Sequence, residues 1–146
     1  MSDDGVSCVH QRLLDATPAQ VFAAIADPQR LSRWWGPAGF SSRDSHCDFR
    51  PGGHWHLVLV GPDGTEYPNH NRFVAIEPDA RVLIEHVSDE HHFVLEIRLE
   101  AEGAQTRVGW RQTFDTVQHR DAMAPFVEPA NEQNLDRLAA EVARGA

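Results

Sequence analysis

Histidine is the residue type this chain offers most freely for chemistry, with nine in 146 residues. His54 and His56 flank Trp55, so on an extended strand both imidazoles fall on one face, a spacing that can bind a metal. Trp55 is expected toward the core, which turns both imidazoles to solvent. No third ligand is evident, so no metal site is expected, and His54 with His56 is the pair that could hold an ion if any does. His91 and His92 are adjacent at a turn and point to opposite faces. His86 is the one imidazole whose strand can turn it inward, where it could act as a general acid or base. The chain has no nucleophile elbow, HExxH helix, phosphate-binding glycine loop or dinucleotide fingerprint. Its two cysteines, Cys8 and Cys47, lack CxxC spacing and read as small buried hydrophobes in strands.

The composition bounds the partners. Thirteen basic against 22 acidic residues give a net charge of −9, which disfavours nucleic acid and anionic membranes. No apolar run approaches the length of a membrane span. The start, Met1-Ser2-Asp3-Asp4-Gly5, is acidic and has no signal-peptide core, so a cytoplasmic protein is expected. A length of 146 residues suits a single domain over residues 1–146.

The elements that must position these groups follow from periodicity and turn signals. Val6–Leu14 reads as a strand. Thr17-Pro18-Ala19-Gln20 opens a helix, with Thr17 as N-cap, Pro18 at the first position and Gln20 closing a capping box. Asp27-Pro28 repeats that signal and starts a second helix, in which Leu31, Trp34 and Trp35 share a face before Gly36-Pro37 stops it. Strands are then expected over Phe40–Phe49, His54–Val60, Glu66–Glu77, Arg81–Val87, His92–Glu102 and Thr106–Phe114. The turn chemistry between them implies an antiparallel sheet. Phe93, Leu95, Ile97 and Leu99 alternate with charged residues, as do Trp110, Gln112 and Phe114 with Arg111, so one face is covered and one solvated. Helices must supply the cover. Gln118–Pro125 looks helical but is broken by Pro125 and Pro129. Pro129 either starts a last helix running to about Arg144 or kinks it, with Asn131, Leu135, Leu138, Ala139 and Val142 on its inner stripe.

This α+β order of strand, two short helices, six strands and long helix resembles the helix-grip arrangement. In that arrangement a curved antiparallel sheet of about seven strands wraps a C-terminal helix. Asp27-Pro28, Leu31, Trp34-Trp35-Gly36-Pro37 and Phe40 resemble the signature of the START-like (SRPBCC, Bet-v-type) superfamily. Within it the chain is most similar to the branch of heat-shock-protein-90 ATPase activator homologues (Aha-type), with polyketide-cyclase-like relatives beside it. Pro51-Gly52-Gly53-His54-Trp55, the hairpin Gly61–Asn69 and the run Asn131–Leu138 carry that similarity. His54 and His56 replace arginines usual in the branch.

The resemblance implies a cavity between sheet and last helix that takes apolar or amphipathic molecules, such as lipids or polyketides, with no cofactor. Trp55, Leu57, Phe93, Leu95, Trp110 and Leu135 would line it, and Trp34 and Trp35 would close one mouth. Gln112 and Asn131, with Asn71 and His86 behind them, would orient the ligand. Non-catalytic ligand binding is the first expectation, in a monomer or homodimer. A polyketide-cyclase-like enzyme using His86 is the second, and a protein-interaction module of chaperone-activator type the third. A carrier calls for an enclosed cavity of several hundred cubic ångströms, roughly the size of ordinary ligand pockets.

Overall fold

The computed structural model describes residues 4–145; the acidic start Met1–Asp3 lies outside them. Strand β1 (Ser7–Leu14) leads into two short helices, α1 (Pro18–Ala26) and α2 (Pro28–Trp34). Six strands follow: β2 (Ser41–Cys47), β3 (His54–Val60), β4 (Glu66–Glu77), β5 (Arg81–His86), β6 (Phe93–Glu102) and β7 (Gln105–Phe114). Helix α3 (Val117–Arg144) closes the chain. All strand pairs are antiparallel, in the order β1-β7-β6-β5-β4-β3-β2. This is the helix-grip architecture.

Both short helices start as their residues dictate. Thr17 Oγ1 accepts from the Gln20 amide while Gln20 Oε1 accepts from the Thr17 amide, a complete capping box. Asp27 serves two helices: its amide donates to the Ala23 carbonyl at the end of α1, and its carboxylate accepts from the Gln29 amide at the start of α2. Glycine is required at the turn before β3, where a Cβ on Gly53 would lie 2.0 Å from the Asp48 carbonyl oxygen.

The concave face of the sheet holds the core. Trp55, Phe73, Ile84, Leu95, Ile97 and Trp110 pack there against Val21, Ile25 and Leu31 from the short helices and Leu135 and Leu138 from α3. Removing that much apolar surface from water drives the fold. The convex face carries ion pairs, among them Arg72–Glu85 and Arg81–Glu96.

Helix α3 corrects the expected break. Pro125 and Pro129 lie inside one continuous helix, and neither starts it. An interior proline costs about 3 kcal/mol through its missing N–H and its clash with the preceding turn. Tertiary bonds along the helix offset that cost. Thr116 caps its start by accepting from the His119 amide. Glu132 and Asp136 bind His10 and Arg12 of β1. Glu141 receives Arg30 and Arg33 of α2.

Candidate functional site

Between the sheet and α3 lies a cleft of about 250 Å³, open on one side. It is smaller than the enclosed cavity expected. Leu95, Trp110 and Gln112 of β6 and β7 form its floor, beside Phe93. Trp35, Gly36 and Pro37, just past α2, form one wall. Leu59, Asn69, Asn71 and His86 form the other, and Val127, Ala130, Asn131 and Asn134 of α3 hang over the top.

The paired tryptophans divide their work. Trp34 is 1% exposed, and its Nε1 donates to the Ala24 carbonyl at 2.9 Å, so it belongs to the core. Trp35 borders the cleft and meets Trp55 edge-on, with ring centroids 4.9 Å apart. Trp55 itself is covered by Trp35 and stacks on Phe73, with centroids 5.9 Å apart. Trp34, Trp55, Leu57 and Leu135 therefore sit in the core behind the cleft, whereas Trp35, Asn71, His86, Phe93, Leu95, Trp110, Gln112 and Asn131 line it.

Two bonds hold the segment after α2. Asn134 Nδ2 donates to the Trp34 carbonyl at 2.8 Å, and its Oδ1 accepts from the Gly36 amide at 3.2 Å. Arg137 adds donations to the carbonyls of Arg33, Gly36 and Pro37. The φ of Gly36 is +99°, in the left-handed region that favours glycine, and this lets the chain turn sharply there.

The polar groups of the cleft are only partly paired. Asn131 Nδ2 donates to Gln112 Oε1 at 3.0 Å. His86 Nδ1 lies 3.1 Å from Asn71 Oδ1 and its ring stacks on Phe93, with centroids 4.8 Å apart. Asn71 Nδ2 and Trp110 Nε1 are buried and have no partner among the described residues. Native interiors rarely leave buried donors unmade, because each costs about 1–3 kcal/mol.

Burial, reinforced by His91, His92 and His70, lowers the His86 pKa to about 4. His86 is then neutral near pH 7. With Asn71 Oδ1 accepting, Nδ1 carries the proton and Nε2 remains an acceptor. His91, also in the cleft, contacts His119 of α3 through Nδ1 and Nε2 at 3.0 Å, and burial followed by His119 lowers its pKa too. Among the described residues, the lining holds no acid or base other than the imidazoles of His86 and His91. The chain contains no lysine, so no side chain supplies an amine for a Schiff base.

Sequence reasoning missed several of these residues. Val127 and Asn134 fall on the Asn131 stripe, three to four residues to either side; Val127 was hidden by a helix read from Pro129, whereas Asn134 lay within it. Asn69 shares strand parity with Asn71. His119 offered no such signal, because its role depends on where α3 crosses the β5–β6 turn.

On the convex face, His54 and His56 are exposed as expected. A third imidazole joins them. His70 of β4 pairs directly with His56 in the ladder, and its Nε2 lies 2.8 Å from His54 Nδ1. Burial, then His56 and His54, lower its pKa. Counting outward from the Gly61–Thr65 turn would have placed His70 opposite His56.

Comparison with known proteins agrees with this architecture. A family model described as "Activator of Hsp90 ATPase homolog 1-like protein" matches residues 15–143. No curated protein sequence matches the chain. A crystal structure of a Nitrosomonas europaea protein superposes with a TM-score of 0.90 at 19% identity, covering 98% of this chain and 97% of that one. A solution structure of an Arthrobacter aurescens protein has a TM-score of 0.87 at 23% identity, with coverage of 100% and 91%. The AHSA1 protein of Silicibacter pomeroyi has a TM-score of 0.76 at 23% identity, with coverage of 94% and 97%. At these identities the likeness is one of fold.

Proposed function

The chain belongs to the Activator of Hsp90 ATPase homolog 1-like family, and from that premise we propose that it binds a small, uncharged, amphipathic molecule in the cleft without covalent chemistry. One observation carries the reading. Two buried donors, Asn71 Nδ2 and Trp110 Nε1, lack partners among the described residues and belong to residues that line the same cleft. A ligand oxygen would satisfy them.

The lining supports one ligand class. Aromatic and aliphatic groups of Trp35, Phe93, Leu95 and Val127 favour an apolar body. Unpartnered neutral donors favour a carbonyl, ether or hydroxyl oxygen. A carboxylate would enter without a cation to meet it, which is costly away from water. The cleft volume of about 250 Å³ falls just below the roughly 300–1,000 Å³ of pockets that hold drug-sized molecules. The ligand is accordingly small, or its tail leaves through the open side.

The catalytic alternative gains less support. A general base works best with a pKa near the working pH. His86, at about 4, is a weak base, and Asn71 occupies its Nδ1.

Native mass spectrometry of protein purified from its own host should show a co-purifying small molecule. Thermal-shift screening should favour neutral oxygen-bearing apolar compounds over their carboxylate analogues. Asn71→Leu and Trp110→Phe should each weaken the best binder by about tenfold, the value of one hydrogen bond to a buried donor. The reading fails if no compound co-purifies and none shifts the melting temperature, or if both variants bind as tightly as the parent chain.

A further inference from the structure

We propose that His54, His56 and His70 form a binding site for one divalent transition-metal ion on the convex face of the sheet, the face opposite the cleft.

The register brings the three together. His56 and His70 are direct partners across β3 and β4, and His54 lies two residues along β3 on the same face. One nitrogen from each of the three lies within 4.8 Å of the others. The His56 and His70 rings stack with centroids 4.2 Å apart and planes 10° apart. His54 Nδ1 already sits 2.8 Å from His70 Nε2. A tetrahedral ion with metal–nitrogen bonds of about 2.0–2.1 Å needs its donors about 3.3 Å apart. Rotation of the exposed His54 and His56 side chains would close the remaining distance.

The company these imidazoles keep separates them from ordinary surface histidines. His10 pairs with Glu132, and His92 pairs with Glu85 and Asp115. None of the three cluster members pairs with a carboxylate among the described residues. They meet each other instead, an arrangement that a shared cation satisfies and three protons do not. His46 of β2 stands directly opposite His56 in the ladder, so a fourth imidazole is at hand on the same face.

The donor set selects the ion. Three imidazole nitrogens with neither thiolate nor carboxylate suit Zn²⁺, Ni²⁺ or Cu²⁺, and disfavour Mg²⁺ and Ca²⁺, which take oxygen ligands. Bound there, the ion would tie β3 to β4. It would also fix His70 between Asn69 and Asn71, the two β4 residues that line the cleft from the other side.

The test uses the full chain without an affinity tag. Calorimetric titration with ZnCl₂ should give one ion per chain. His70→Gln and His56→Gln should each weaken binding by more than about tenfold, since loss of an outer-shell partner alone costs 10–100-fold. Both variants should melt like the parent chain in the absence of metal. His92→Gln, outside the three-imidazole cluster, should bind Zn²⁺ as the parent does. Binding unchanged in His70→Gln and His56→Gln, or weakened equally in His92→Gln, would overturn the assignment, as would the absence of saturable binding.

Discussion

Glu141 and Arg30 face each other inside the protein, Arg30 Nε donating to Glu141 Oε2 at 2.9 Å with both residues 6% exposed. Arg33 and Arg144 also donate to this carboxylate. Burial alone would raise the Glu141 pKa, but the bonds from Arg33, Arg30 and Arg144 outweigh it and hold it at about 2. Breaking a buried pair from one side strands the other charge. Glu141→Ala should therefore cost about 3–5 kcal/mol in urea denaturation. Because the folded pKa is depressed below the unfolded value of 4.5, the Glu141 contribution is present above about pH 4.5 and lost as pH falls toward 2.

The Asn131–Gln112 bond permits a sharper measurement. Gln112→Leu or Asn131→Leu alone leaves a buried amide without its partner, at a cost of about 1–3 kcal/mol each. The double variant removes both groups and should cost less than the sum. A double-mutant cycle should give a coupling of about 1 kcal/mol or more. Strict additivity would show that the two amides do not depend on each other.

Histidines in and beside the cleft set an acid limit in a separate window. His86 is depressed by burial and by His91, His92 and His70; His91 is depressed by burial and by His119. An unfolded chain thus binds more protons between the ordinary value of 6.5 and about 4, and stability falls as pH drops through that range. For His86 the loss should be on the order of 2–3 kcal/mol, discounted from the full shift because the cleft admits water. His92 has the opposite sign. Its hydrogen bonds to the Glu85 and Asp115 carboxylates raise its pKa, so its contribution is present below 6.5 and fades as pH rises through the raised value. Thermal melts from pH 7.5 to 4.5 should show a smaller acid loss in His86→Gln and a larger one in His92→Gln.

The prolines of α3 offer a gain in stability. Each removes one i→i−4 bond, leaving the Asp121 and Pro125 carbonyls without their usual donors. Pro129→Ala restores one bond and relieves the clash, while freeing the unfolded chain costs back about 0.4–1 kcal/mol. A net gain of about 2 kcal/mol is expected. Amide exchange should slow around residues 121–129, over the cleft mouth. Unchanged exchange there would mean that packing against β1 and β7, not the backbone ladder, limits local opening.

Local chemistry made most of the fold legible. Thr17, Asp27 and the glycine turns mark their elements without help from tertiary structure, and β3 and β4 emerge at their expected bounds because the Gly61–Thr65 turn fixes both ends. Periodicity shows which face a residue takes, but not what covers it. Trp34 and Trp35 share a stripe in sequence, and only the Asn134 clamp and the seating of Trp55 put one in the core and the other on the cleft. Helix α3 was misread because proline was weighed against local propensity alone. Its ion pairs and amide bonds span about 100 residues of sequence and leave no local trace.

Asp27 bears on how the cleft could move. It is the last cap of α1 and the first cap of α2 at once, so no residue between the helices is free to act as a joint. The angle between them rests on one pair of dihedrals, φ −85° and ψ 113°, held by a bond on each side. Val21 and Ile25 of α1 are fully buried in the core. The cleft wall at Trp35 is thus joined to the core through α2 and a single linking residue.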